Sequence, residues 1–205
     1  MHVWRERLGR WFDPLARRMP LSPNAISVIA LALNVTASVL LFHGRRWPPG
    51  FLIAIGFIVA GGLADALDGI VARVQGKTSR LGDFLDHCAD RLSDMLLAIC
   101  WLTGSGVRES LVITGVVGVM LNGYIGTQIE ATFGERNYDS VGRGEFVLAL
   151  IIYPIISYIV FTNGWAGLRF ATLTTTEWLA AVMSLFAAIG IAQRWALALR
   201  LERGA

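Results

Sequence analysis

Residues 65–94 read DALDGIVARVQGKTSRLGDFLDHCADRLSD and hold six of the fifteen acidic residues: Asp65, Asp68, Asp83, Asp86, Asp90 and Asp94. Long apolar runs flank this stretch on both sides. A carboxylate at the edge of a bilayer is costly, so a cluster of them there marks a functional site by default. The spacing is ordered as well. Asp65 and Asp68 stand at i,i+3, and Asp86, Asp90 and Asp94 at i,i+4, so each set shares one face of a helix. Two helices that bring those faces together form an oxygen-rich cage. A divalent cation relieves its self-repulsion, and a hard cation such as Mg²⁺ takes oxygen ligands.

The composition sets the surroundings of the cage. The chain has 205 residues, 55% hydrophobic and 16% charged, with a mean hydropathy of +0.57. Soluble domains carry about 25% charged residues. The deficit and the apolar runs point to an all-α integral membrane protein, with one domain over residues 21–205. Each span needs roughly 20 apolar residues, and the chain has room for six. They are expected at about Asn24 to Phe42, Phe51 to Val74, Leu81 to Leu102, Leu111 to Ala131, Glu145 to Phe161 and Trp178 to Leu199. Residues 1–20 place Trp4, Leu8, Trp11, Phe12 and Leu15 at helical spacing among arginines. That pattern suits an amphipathic helix lying in the membrane interface. No cleavable leader is evident, since no early apolar run follows the scattered charges.

The net charge of +3 does not mark a nucleic-acid binder, because the basic residues sit at the ends of apolar runs. Cys88 and Cys100 lie about 18 Å apart along one helix, too far for a disulfide with each other. They read as small buried hydrophobes. Arginine and lysine are concentrated before the first span, after the second (Arg73, Lys77, Arg80), after the fourth (Arg136, Arg143) and at the C-terminus. The opposite side has Arg45, Arg46, Arg108 and Arg169. By the positive-inside rule both termini, and the acidic cluster, face the cytoplasm of a prokaryotic cell membrane.

Between the two acidic sets lie Gly69, Ala72, Arg73 and Gly82. Small residues admit a ligand close to the backbone, and Arg73 offers a planar fork of donors to phosphate oxygens. Carboxylates, cation and arginine together are the parts of phosphoryl chemistry. Asp65, Asp68, Gly69, Ala72, Arg73, Gly82, Asp86 and Asp90 fit the signature D-x-x-D-G-x-x-A-R, eight residues, G-x-x-x-D-x-x-x-D at every fixed position. The chain therefore resembles the CDP-alcohol phosphatidyltransferases. The preceding LSPNAIS also looks like the start of the family's first span.

The resemblance implies a membrane enzyme of phospholipid synthesis. Asp65, Asp68, Asp86 and Asp90 would ligate metal, two ions of Mg²⁺ or Mn²⁺. Asp68, Gly69, Ala72, Arg73 and Gly82 would line the cytidine diphosphate site, and Asp90 would be the catalytic base. The donor would be a CDP-linked lipid and the acceptor a small polar alcohol, with membrane lipids around a homodimer and no nucleic acid bound. Arg80, Arg136 and Arg143 are the expected contacts for a phosphate-bearing acceptor. The DHCADRLSD end looks most like members that use inositol phosphate, with glycerol 3-phosphate the next choice. On the fourth span, where many members are more basic, this chain has Tyr124, Gly126 and Gln128. His87 sits about 100° round the helix from Asp86 and is expected to pack rather than bind. Asp83 and Asp94 fall outside the signature, Asp94 within reach of Arg91.

Two other classes fit parts of the pattern. A cation transporter would spread its carboxylates over several spans and depths, and here they bunch beside an arginine. An intramembrane prenyltransferase also uses metal and diphosphate, but it resembles longer chains.

Overall fold

The computed structural model describes residues 18–134 and 141–204. The interfacial helix expected over residues 1–20 lies almost wholly outside the described residues. Among the described residues six long helices make up the fold: α1 (Pro23–Phe42), α2 (Pro49–Val74), α3 (Arg80–Gly104), α4 (Glu109–Phe133), α5 (Arg143–Thr162) and α6 (Thr175–Gly204). Five of them, all but α3, are long and apolar enough to cross a membrane. Helix α3 has the length, about 37 Å at the usual rise, but between Arg80 and Asp94 it carries Asp83, Asp86, Asp90, Arg91 and Asp94. The observed bounds extend the expected spans by one to five residues at individual ends.

Local chemistry sets several of these ends. Ser22 caps α1, its Oγ accepting from the Ala25 amide at 3.2 Å, with Pro23 in the first turn. Ser79 caps α3 in the same way through Gly82 N at 3.0 Å. Such caps occupy amides that have no partner within the helix. Gly134 ends α4 in the left-handed region at φ 71, a conformation glycine adopts without a Cβ penalty.

Helix α1 packs chiefly on α2 and α3, α4 on α6 and α3, and α2 on α5. The contact of α1 with α3 is very close: a Cβ on Gly104 would stand 1.9 Å from the Leu41 carbonyl oxygen. The main apolar core gathers Leu41, Phe51, Ala54, Leu97, Trp101 and Leu102. It fills the end of the bundle remote from the aspartates. At the aspartate end the buried apolar residues shrink to a small cluster around Ile26 and Val71.

Polar contacts tie the packed end together. The Trp101 Nε1 donates to Ser157 Oγ at 3.1 Å, and Ser105 Oγ lies 3.3 Å from the same hydroxyl. Arg108 grips Glu177 with two bonds, 2.6 and 3.2 Å, and the Thr172 carbonyl at 3.0 Å. The bond to Glu177 raises the Arg108 pKa above its ordinary value. This clasp holds a feature that sequence reading did not anticipate. A short 3₁₀ helix (Trp165–Gly167) is followed by a two-stranded hairpin of β1 (Arg169–Phe170) and β2 (Leu173–Thr174), antiparallel with Phe170 opposite Leu173. Trp101 is wholly buried, so Trp101→Ala should cost about 3–5 kcal/mol. The thermal unfolding midpoint in detergent measures this. A midpoint equal to wild type would show that the packed end is not what holds the bundle.

Candidate active site

The tight turn between α2 and α3, with Gly76 at φ 63, folds the two acidic helix ends against each other. One carboxylate oxygen from each of Asp65, Asp68 and Asp86 lies within 4.8 Å of the others. Asp68 and Asp90 are buried, 7% and 9% exposed. Ser27 Oγ on α1 donates to Asp68 Oδ2 at 2.5 Å, so a third helix orients this carboxylate. Three such oxygens repel one another and form a hard-oxygen donor set suited to Mg²⁺ or Mn²⁺.

The signature's remaining positions collect here too. Gly69, Ala72, Arg73 and Gly82 line the same cavity as the four aspartates. A Cβ on Gly69 would lie 3.5 Å from Arg73 Nη1, so the guanidinium folds back along α2 over the glycine. Gly82 is confined by its own cap, since a Cβ there would meet Ser79 Oγ at 3.1 Å.

The cavity is large, about 1730 Å³. Beyond the aspartates it is lined by Arg91, Asn122, Gly123, Gly126 and Arg194. Arg91 Nη2 pairs with Asp94 Oδ2 at 3.2 Å. A Cβ on Gly123 would stand 1.6 Å from Arg91 Nη1, and one on Gly126 would stand 2.9 Å from Arg194 Cζ. The two glycines, one turn apart on α4, therefore seat two guanidinium groups. Arg194 Nη1 donates to both oxygens of Asn122, 2.8 Å in the case of Oδ1. Asn122 Nδ2 in turn holds the Val141 carbonyl at 3.2 Å, and Gln193 Oε1 accepts from the Val141 amide at 2.8 Å. Arg91 faces Asp94, and both arginines and Glu145 line the same cavity. A third region is apolar. Leu63, Leu148, Ile152 and Phe186 line the cavity and are 64%, 56%, 41% and 46% exposed.

Not every expected residue is found on the cavity wall. Arg80 does not line the cavity; it is exposed at the tip of α3. Six residues before Asp86, it is turned about 120° away on the helix. Arg136 lies outside the described residues. Arg143 opens α5, and its side chain also lies outside them. His87, expected to pack away from the site, lines the cavity and has a ring nitrogen within 4.8 Å of Asp86 and Asp90 oxygens. Cys88 is exposed and Cys100 half-buried, so neither is a deeply buried hydrophobe. Sequence reading also passed over Ser27, Asn122 and Arg194 as site residues. Arg194 falls within the expected sixth span, yet it had counted only among the C-terminal basic residues, whereas it lines the cavity from α6.

A bundle of apolar helices with carboxylates and guanidinium groups facing one inner cavity is the arrangement of a membrane-embedded enzyme acting on phosphate esters. Residues 20–199 match the CDP-alcohol phosphatidyltransferase family model, and the chain belongs to that family. It is 28% identical over 167 residues to the archaetidylinositol phosphate synthase of Pyrococcus horikoshii, covering 78% of this chain and 84% of that one. It is 27% identical over 190 residues to the phosphatidylinositol phosphate synthase of Mycobacterium marinum, covering 88% and 77%. Its fold is that of the Mycobacterium tuberculosis phosphatidylinositol phosphate synthase in apo form, with a TM-score of 0.68 at 22% identity over 89% of this chain and 93% of that one. That synthase has also been crystallised with CDP-DAG bound; the TM-score is then 0.64 at 21% identity, over 91% of each chain.

Proposed function

We propose that this enzyme transfers a phosphatidyl group, or its ether-lipid counterpart, from a CDP-linked lipid to a hydroxyl of a phosphorylated polyol. The observation that carries the reading is one cavity lined by clustered carboxylates and, beyond them, by two paired guanidinium groups. Asp65, Asp68, Asp86 and Asp90 would hold divalent metal, one ion or two, and the mutual closeness of three of their oxygens fits it. Bound there, the metal neutralises the diphosphate and the leaving nucleotide. Asp68, Gly69, Ala72, Arg73 and Gly82 border the cytidine diphosphate, with Arg73 meeting its phosphate oxygens. Asp90 takes the proton from the acceptor hydroxyl. The freed oxygen bonds to the lipid-bearing β-phosphorus, the bond from that phosphorus to the bridging oxygen breaks, and CMP leaves.

Arg194 and Arg91 hold the acceptor's own phosphate. Arg136 and Arg143 keep the acceptor-side role read from the sequence. In this reading α3 is the sixth span, its polar face turned to the cavity. Both termini and the site face the cytoplasm, and the enzyme works as a homodimer.

The test is an acceptor panel with one CDP-diacylglycerol, reading the lipid product by mass and CMP release with Mg²⁺ or Mn²⁺. Inositol phosphate should be the best acceptor. Free inositol and serine should be at least about tenfold slower, because they leave two charged donors unmatched. Equal rates with unphosphorylated acceptors would refute the acceptor assignment. No metal-dependent CMP release with any acceptor would refute the transferase.

A further inference from the structure

The signature leaves residue 87 open, so the histidine there is a choice of this chain rather than of the pattern it matches. His87 lies on the cavity wall, and its side chain is 40% exposed. One of its ring nitrogens and one oxygen each of Asp86 and Asp90 lie within 4.8 Å of one another. Asp86 belongs also to the all-oxygen group with Asp65 and Asp68. The two groups thus share only Asp86: its two partners are both carboxylates in one, and a carboxylate and an imidazole in the other. Asp83 Oδ1 stands 4.0 Å from His87 Nε2. At that distance the two do not hydrogen-bond.

We propose that His87 gives a nitrogen ligand to a divalent ion shared with Asp86 and Asp90, and so biases this enzyme toward a transition-metal ion such as Mn²⁺ over Mg²⁺. The proposal rests on the functional reading above. Its chemistry follows from donor type. Mg²⁺ demands a near-regular shell of oxygens and keeps its waters. An imidazole nitrogen in place of one oxygen favours first-row transition ions. The Asp65, Asp68 and Asp86 group has only oxygens and does not discriminate in this way.

The experiment uses the whole chain, free of any histidine tag, in lipid nanodiscs loaded with Mn²⁺. Electron spin-echo modulation of the bound ion should show coupling to a ¹⁴N nucleus that changes to the ¹⁵N pattern on ¹⁵N-histidine labelling. Displacement of Mn²⁺ by Mg²⁺, followed by the free Mn²⁺ signal, gives the affinity ratio. His87→Gln should abolish the nitrogen coupling and lower the preference for Mn²⁺ about tenfold. His87→Asn should do the same. Bound Mn²⁺ without histidine coupling, or an unchanged ratio in both variants, overturns the role of His87 and leaves the active-site reading standing. A wild-type protein that binds no Mn²⁺ or Mg²⁺ overturns both.

Discussion

Asp90→Asn lowers kcat by about three orders of magnitude, within the usual range for removing a positioned base, while CDP-lipid still binds. The carboxylate is 9% exposed, next in sequence to Arg91 and one turn beyond Asp86 on α3. It therefore stands where the aspartate group gives way to the two arginines, the place proposed for the acceptor hydroxyl. Asparagine keeps the shape and the acceptor oxygen but cannot take a proton at neutral pH. Steady-state CMP release gives kcat, and equilibrium binding of a CDP-lipid gives Kd. Near-normal turnover in the variant would remove Asp90 from the mechanism. Loss of CDP-lipid binding along with turnover would make it a structural ligand instead.

The second large effect falls on the acceptor. Arg194→Ala should raise the acceptor KM by about 30-fold to 100-fold, the equivalent of one or two charge-assisted hydrogen bonds. The KM for CDP-lipid should change little. Arg194→Lys keeps the charge but loses the fork seated over Gly126, and should recover only part of the affinity. A separate check fills the seat itself. Gly126→Leu puts a side chain where the Arg194 guanidinium lies, a position in which even a Cβ stands 2.9 Å from Cζ. It should impair the same parameter. An unchanged acceptor KM in Arg194→Ala would leave the acceptor phosphate to other residues.

The aspartates were legible in the sequence because their information is local. Carboxylates at i,i+3 and i,i+4 must share a helix face, and a short turn between two such helices leaves little freedom in how they meet. The six helices were legible for a similar reason, since apolar length needs no knowledge of neighbours. What stayed hidden depends on contacts between distant parts of the chain. Ser27 reaches Asp68 across 41 positions, and Arg194 reaches Asn122 across 72. A serine on an apolar helix or an arginine near a terminus gives no local sign of such partners. Arg80 shows the converse: a basic residue close in sequence to the site is exposed at the tip of its helix and absent from the cavity wall. His87 shows the limit of reading by helical phase, because a flexible imidazole reaches beyond the direction of its Cα–Cβ bond. The hairpin of Arg169–Thr174 was too short to leave a periodic pattern.

The cavity's apolar wall has a bearing on traffic. Leu63, Leu148, Ile152 and Phe186 line the cavity and stay 64%, 56%, 41% and 46% exposed, so in the proposed membrane placement they would open it toward hydrocarbon. A greasy donor can therefore slip in sideways, and its acylated product can slide out again, with the tails never crossing water. The water-soluble reactant and the spent nucleotide use the polar mouth. Short-chain donors dispersed as monomers forgo this lateral doorway, so their turnover should depend far less on the surrounding lipid than that of long-chain ones.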